Sequence, residues 1–224
     1  MNTKELAGKL ELAILGHAIS GKEIRKKLDK VKFYEDHGIV FNGICVASCI
    51  VDLIQEYELK TKIISVIGYP YGDEIRFTKW EDVDNVICAA HIDFVPNFTN
   101  VLNEDFDSVF TELNYVAGLT KFYEKEFRII VEAGMLPQDK LNKLISIAED
   151  LNADVIKTST GTYKNDPSPE ERILKVRSTK LKVKVSGGIK DLQTAESCFK
   201  VGADIIGSSS ALNIFEEFVE VNKV

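Results

Sequence analysis

Short apolar runs rich in isoleucine and valine alternate with amphipathic stretches along the whole chain. Several of these runs are apolar throughout, which is typical of strands that are covered on both faces in a parallel sheet. The predicted strands are residues 10–15, 43–47, 62–69, 92–96, 127–132, 154–160, 181–186 and 204–207.

The stretches between the predicted strands carry the signals that start and stop helices. The Ser-Gly-Lys-Glu segment at 20–23 is a capping-box pattern, in which the first and last side chains satisfy each other's backbone amides. Residues 168–171 form a second box, with proline at the first helical position. Asp191 is placed to cap a helix that stops at Gly202. Helical spacing also marks residues 106–122 and 138–151.

Strands that alternate with helices predict an α/β protein, and two architectures fit that order. One is a doubly wound open sheet, and the other is a closed (β/α)8 TIM barrel. The count of eight strands favours the barrel, although periodicity alone does not decide between them. We expect residues 1–224 to form a single domain, because barrels of about 200–250 residues fold as one unit.

The acidic composition argues against nucleic acid as a binding partner. The chain has a net charge of −7, whereas nucleic-acid-binding proteins normally show a basic face. An anionic small substrate remains compatible, since a local site can be positive on an acidic protein. Residues 1–9 do not resemble a signal peptide, and no apolar run approaches the ~20 residues of a membrane span. We therefore expect a cytoplasmic protein that binds neither nucleic acid nor membrane.

The cysteines and histidines do not indicate a metal site. Cys45, Cys49, Cys88 and Cys198 form no CxxC pair, and no Cys/His cluster has the spacing of zinc ligands. Buried, reduced thiols are the expected state.

Lys157 is the first candidate for chemistry, because it ends the sixth predicted strand. In both architectures ligands bind at the carboxyl ends of the strands. Burial would lower the pKa of this lysine, and a neutral lysine is a nucleophile for carbonyl compounds. The alternative is a lysine that reaches solvent from the strand terminus.

Lys184 and Asp93 are the second and third candidates. Lys184 alternates with valines in the seventh strand, so it lies either in the barrel mouth beside Lys157 or on a solvated strand face. In the first position its ammonium group would lower the pKa of Lys157 further. Asp93 lies within an Ile/Phe/Val run and needs a partner if it is buried, which the lysine pair would supply. The alternative is a surface aspartate at a strand start.

Two turns of small residues follow the last two predicted strands. They are Ser186-Gly187-Gly188 and Gly207-Ser208-Ser209-Ser210. Backbone N–H groups, hydroxyls and a helix N-terminus at such turns attract anions, and barrels commonly bind phosphate after strands 7 and 8. Ordinary strand-to-helix turns are the alternative.

Six sequence blocks occur in the order found in the 2-deoxyribose-5-phosphate aldolases, and over nearly its whole length the chain resembles that family. The blocks are Val-Ile-Gly-Tyr-Pro-Tyr-Gly at 66–72, Ile-Asp-Phe-Val at 92–95, Ile-Val-Glu-Ala-Gly-Met-Leu at 130–136, Ile-Lys-Thr-Ser-Thr-Gly at 156–161, Val-Lys-Val-Ser-Gly-Gly at 183–188 and Ile-Gly-Ser-Ser at 206–209. Six blocks in one order are more specific than any single block.

The resemblance implies a class I aldolase that cleaves 2-deoxy-D-ribose 5-phosphate reversibly to acetaldehyde and D-glyceraldehyde 3-phosphate. Lys157 would form the Schiff base, with Lys184 and Asp93 as its catalytic partners. Substrate and phosphate would be bound by Gly187, Gly188, Gly207, Ser209, Ser210 and Thr158. The resemblance implies neither a metal nor a cofactor, and a homodimer is common in the family.

The first strand departs from the family pattern. Family members usually carry Asp-His-Thr there, and this chain has Glu11-Leu12-Ala13. The altered strand keeps two alternatives open. One is a related class I aldolase that uses another phosphorylated aldehyde as acceptor. The other is a sugar-phosphate-binding paralogue without turnover, against which the presence of Lys157, Lys184 and Asp93 together argues.

Overall fold

Eight parallel strands close into one barrel in the computed structural model, which describes residues 1–16 and 18–222. Each strand pairs with its sequence neighbour, and the first pairs with the last, so the open-sheet alternative is wrong. All eight predicted strands are confirmed, with ends that differ by up to three residues. They are β1 (Leu10–Ile14), β2 (Gly43–Ala47), β3 (Ile63–Ile67), β4 (His91–Phe94), β5 (Glu126–Ile130), β6 (Val155–Lys157), β7 (Lys182–Ser186) and β8 (Ile205–Ser208).

Ten α-helices accompany the strands in the described part of the chain, and a short 3-10 helix, Ser48–Ile50, precedes the third. They are α1 (Thr3–Ala7), α2 (Gly21–Asp36), α3 (Val51–Gln55), α4 (Arg76–Asn85), α5 (Phe98–Leu102), α6 (Phe106–Phe122), α7 (Gln138–Asp150), α8 (Pro169–Val176), α9 (Leu192–Val201) and α10 (Ala211–Val221).

The helix boundaries follow the local capping chemistry. Both predicted capping boxes form, at Ser20 for α2 and at Ser168 for α8. Asp191 caps α9, and Gly202 ends it with φ at +116°, a left-handed conformation that favours glycine. The loops that precede α2, α8 and α9 follow β1, β6 and β7. Because the strands are parallel, these three loops lie at the same end of the barrel.

The parallel register sets which polar side chains are neighbours. Lys157 on β6 lies opposite Lys184 on β7, and Asp93 on β4 lies opposite Arg128 on β5. At the closing seam, Glu11 on β1 lies opposite Gly207 on β8. Apart from the glycine, all of these are charged and buried. The barrel interior therefore holds a charged cluster among its isoleucine and valine side chains.

The cysteine prediction is correct in part. Cys45 and Cys198 are buried and free, but Cys49 and Cys88 are free and exposed. Cys49 lies in the short 3-10 helix after β2 and Cys88 in the connection before β4, outside the packed elements. Within residues 1–16 and 18–222, every helix is too short or too polar to cross a membrane. His, Cys, Asp and Glu side chains of those residues form no group of three that could hold a metal ion.

Candidate active site

Two lysines share one carboxylate oxygen inside the mouth of the barrel. Lys157 Nζ donates to Asp93 Oδ2 at 2.9 Å, and Lys184 Nζ donates to the same oxygen at 2.7 Å. All three side chains are buried. The structure therefore brings together the three candidates from β4, β6 and β7, and neither lysine is a solvent-reaching strand-end residue.

A second ion pair lies next to this group. Glu11 Oε2 is 2.5 Å from Lys184 Nζ, and Glu11 Oε1 accepts a hydrogen bond from Arg128 at 2.7 Å. Both residues are buried, and Asn42 Nδ2 also donates to Glu11 Oε1 at 2.6 Å. The lengthened carboxylate on β1 thus belongs to the charged cluster. Arg128 was not among the predicted site residues.

The cluster fixes the protonation of Asp93 and Lys184. Burial alone would raise the pKa of Asp93, but Lys157, Lys184 and Arg128 outweigh burial and hold that pKa well below its usual value. Burial alone would lower the pKa of Lys184, but Asp93 and Glu11 raise it above its ordinary value. At neutral pH Asp93 is therefore a carboxylate and Lys184 an ammonium.

A cavity of about 360 Å³ opens above this cluster. Lys157 and Lys184 reach it from below, and Asp93 lies behind them, outside the lining. The lining includes four of the predicted phosphate residues, namely Gly187, Gly188, Gly207 and Ser209. Apolar residues of β1 and of the segment after it, Ala13, Ile14, Leu15 and Ile19, also line the cavity. The cavity therefore combines two amines, the two small-residue turns and apolar side chains.

Sequence similarity to proteins of known family identifies the family of this chain. A deoxyribose-phosphate aldolase from Aquifex aeolicus is 34% identical over 215 residues, which cover 94% of this chain and 95% of the relative. The chain belongs to the deoxyribose-phosphate aldolase family. No family model matches the chain.

Solved structures agree with membership in the deoxyribose-phosphate aldolase family. A structure described as QR15, an aldolase, has a TM-score of 0.87 and 31% identity, with 96% of both chains covered. The deoxyribose phosphate aldolase from Aeropyrum pernix has a TM-score of 0.85 and 25% identity, with 98% of this chain and 93% of that chain covered. The fold likeness therefore extends over almost the whole barrel.

Two of the residues that the aldolase-family resemblance implied for substrate binding do not line the cavity. Thr158 is fully buried, and its hydroxyl accepts a hydrogen bond from the Ser186 amide at 3.3 Å. Ser210 precedes α10, and its amide donates to Ser208 Oγ at 2.9 Å. In this structure both residues support the turns, and Ser208 lines the cavity instead of Ser210.

Several cavity residues were missed because their sequence context is ordinary. They are Lys27, Cys45, Tyr69, Thr160, Gly161, Ile189 and Lys190, whereas Ser186 and Ser208 had been predicted only as members of the two small-residue turns. Tyr69 ended the third predicted strand, but in the structure it lies in a turn after β3, in which the Gly72 amide donates to the Gly68 carbonyl at 2.7 Å. Cys45 lies in an apolar strand and is typical of a core residue. Only the folded barrel shows that these side chains face one space.

Gly207 also makes room for a member of the charged cluster. A methyl group at this position would lie 2.9 Å from Lys184 Cε. Lys184 is held by Asp93 and Glu11, so it cannot withdraw without loosening both contacts. The absence of a side chain at Gly207 therefore helps to set the position of Lys184.

Proposed function

We propose that residues 1–224 form a single class I aldolase domain that reversibly cleaves 2-deoxy-D-ribose 5-phosphate to acetaldehyde and D-glyceraldehyde 3-phosphate. The observation that carries the proposal is the buried Lys157 amine, which faces a cavity and shares Asp93 with Lys184. The names of the related proteins favour this substrate over another phosphorylated acceptor.

In the cleavage direction, the unprotonated form of the Lys157 amine adds to the aldehyde carbon of the open-chain sugar, and the adduct loses water to form an iminium ion. The iminium nitrogen accepts the electron pair of the breaking C2–C3 bond, while the C3 hydroxyl gives up its proton. D-glyceraldehyde 3-phosphate leaves, and an enamine remains on Lys157. Protonation of the enamine and addition of water then release acetaldehyde and the free amine.

Asp93 and Lys184 have distinct roles in these proton transfers. Lys184 is an ammonium beside the reacting nitrogen, so it supplies and recovers protons through hydrogen bonds within the cavity. Asp93 keeps its negative charge, holds both amines in place and balances the iminium charge. The turns at Gly187, Gly188 and Gly207 bind the substrate phosphate and fix the distance from C3 to Lys157.

Borohydride trapping tests this proposal. Incubation of the protein with acetaldehyde and borohydride should add one N-ethyl group, and peptide mapping should locate it on Lys157. Turnover of 2-deoxyribose 5-phosphate should be measured in parallel by the release of acetaldehyde. A protein that binds the sugar phosphate but forms neither adduct nor product is a binding paralogue, and the proposal then fails.

A Gly207→Ala substitution should lower kcat/KM for the sugar phosphate about 10-fold, because displacement of a positioned proton donor costs rate. The matched control is Gly118→Ala in α6, where an added methyl group meets nothing within 4 Å. It should leave kcat/KM unchanged. Equal activities of the two variants would show that the position of Lys184 is not set by Gly207.

The assembly state stays a prediction. We propose a homodimer, as is common in the family, while the aldolase from Aeropyrum pernix is described as a tetramer. Light scattering coupled to size-exclusion chromatography would distinguish a dimer from a tetramer or a monomer. We also propose a cytoplasmic location, which fractionation of cells that express the protein would test.

A further inference from the structure

Lys27 brings a positive charge to the cavity from an unexpected element. It lies in the middle of α2, whereas the predicted phosphate residues lie in the turns after β7 and β8. Its side chain is half-buried and lines the cavity together with Gly188, Ser208 and Ser209. Its Nζ donates to the Ser209 carbonyl oxygen at 3.4 Å. An ammonium group is therefore held against the second of the two small-residue turns.

Lys27 keeps hydrogen-bond donors available for a ligand. An ammonium has three N–H donors, and the contact with Ser209 uses one of them. Glu23 is one helical turn away, but its carboxylate accepts hydrogen bonds from the Ser20 amide at 3.0 Å and the Ser20 hydroxyl at 2.8 Å. The capping box thus holds the Glu23 carboxylate at the helix start, where the hydrogen bonds from Ser20 and then the charge of Lys27 lower the pKa of Glu23.

The cavity lining is cationic on an acidic protein. Among the described residues that line it there are four lysines and no carboxylate, although the chain has a net charge of −7. Below the cavity, Asp93 forms ion pairs with both Lys157 and Lys184, and Glu11 forms a second ion pair with Lys184. Lys190 is exposed, so solvent screens its charge. Lys27, in contrast, is half-buried and lies beside the small-residue turn after β8.

We propose that Lys27 recognises the phosphate group of the substrate and makes the enzyme selective for phosphorylated over unphosphorylated sugars. The backbone and hydroxyl donors of the two turns surround the phosphate, and Lys27 contributes the charge that these neutral donors lack. The inference rests on the proposed aldolase function, because it assigns the charged end of the substrate to the same cavity.

Steady-state kinetics with two substrates test this role. For Lys27→Met, KM for 2-deoxyribose 5-phosphate should rise roughly 10- to 100-fold, the range expected when a charge-assisted hydrogen bond is lost. The kinetics with unphosphorylated 2-deoxyribose should not change, because that substrate has no charge for Lys27 to bind. Lys27→Arg should restore most of the preference, since it keeps the positive charge.

The control is Lys26→Met, the adjacent lysine of α2, which is exposed and does not line the cavity. This variant should keep the wild-type preference. An equal loss of kcat/KM for both substrates in Lys27→Met would indicate a structural role and overturn the inference. Unchanged selectivity would overturn it as well.

Binding of inorganic phosphate separates this inference from the proposed function. Calorimetry should show roughly 10- to 100-fold weaker phosphate binding to Lys27→Met than to the wild-type protein. If the wild-type protein binds phosphate in this way but does not turn over either sugar, the aldolase proposal fails and the role of Lys27 in binding the anion stands. Wild-type protein that neither binds phosphate nor turns over sugar would contradict both.

Discussion

Lys157→Arg is expected to abolish both the borohydride-trapped adduct and the aldol cleavage, with a loss of kcat of at least ~10³-fold. A guanidinium stays protonated, so it has no lone pair with which to attack an aldehyde. Arginine places a cation beside Asp93, so the folded state should persist. Intact mass after trapping and acetaldehyde release measure the two losses, and circular dichroism checks the fold.

Lys182→Arg is the matched control for this substitution. Lys182 starts β7 two residues before Lys184, but its side chain is exposed and does not line the cavity. The control should form the adduct at the wild-type rate. An adduct that persists in Lys157→Arg and maps to Lys184 would transfer the nucleophile role to that lysine.

Arg128→Met is expected to lower the free energy of unfolding by about 3–5 kcal/mol, because it removes one partner of a buried ion pair. Glu11 would keep Lys184 and Asn42 as partners but lose the cation that contacts Oε1. Chemical denaturation measures the change. Arg25→Met, on the exposed face of α2, should change stability by no more than about 0.5 kcal/mol.

A double variant sharpens this test. Glu11→Gln combined with Arg128→Met removes the carboxylate that has lost its Arg128 partner at Oε1 in the single Arg128 variant. Its loss of stability should therefore be smaller than the sum of the two single losses, since contacting residues are not additive. Strict additivity would mean that Glu11 and Arg128 do not act as a pair in solution.

The fold was predictable because local patterns and topology agree. Continuous apolar runs predicted parallel strands, and the capping boxes at 20–23 and 168–171 marked where helices begin. Periodicity could not choose between a closed barrel and an open sheet. That choice depends on pairing between β1 and β8, which lie at opposite ends of the chain. No local pattern encodes such a contact.

The candidate site was predictable where a polar residue interrupts an apolar strand near its end. Lys157, Lys184 and Asp93 met that criterion. Arg128 also interrupts an apolar strand, but it is the second residue of the predicted strand 127–132, far from that strand's carboxyl end, and resembles an ordinary strand residue in sequence. Lys27 gave no signal, because a lysine on an amphipathic helix is normally solvated. Its placement depends on where the β8 turn meets α2.

The pairing of β1 with β8 brings together residues that are synthesised at the beginning and at the end of translation. Glu11 is synthesised near the start, whereas its partners Arg128 and Lys184 follow more than a hundred residues later. A nascent chain that lacks β7 and β8 has neither Lys184 nor the Gly207 turn. The charged cluster of Glu11, Asp93, Lys157 and Lys184 is therefore complete only in a chain that includes both the first strand and the seventh.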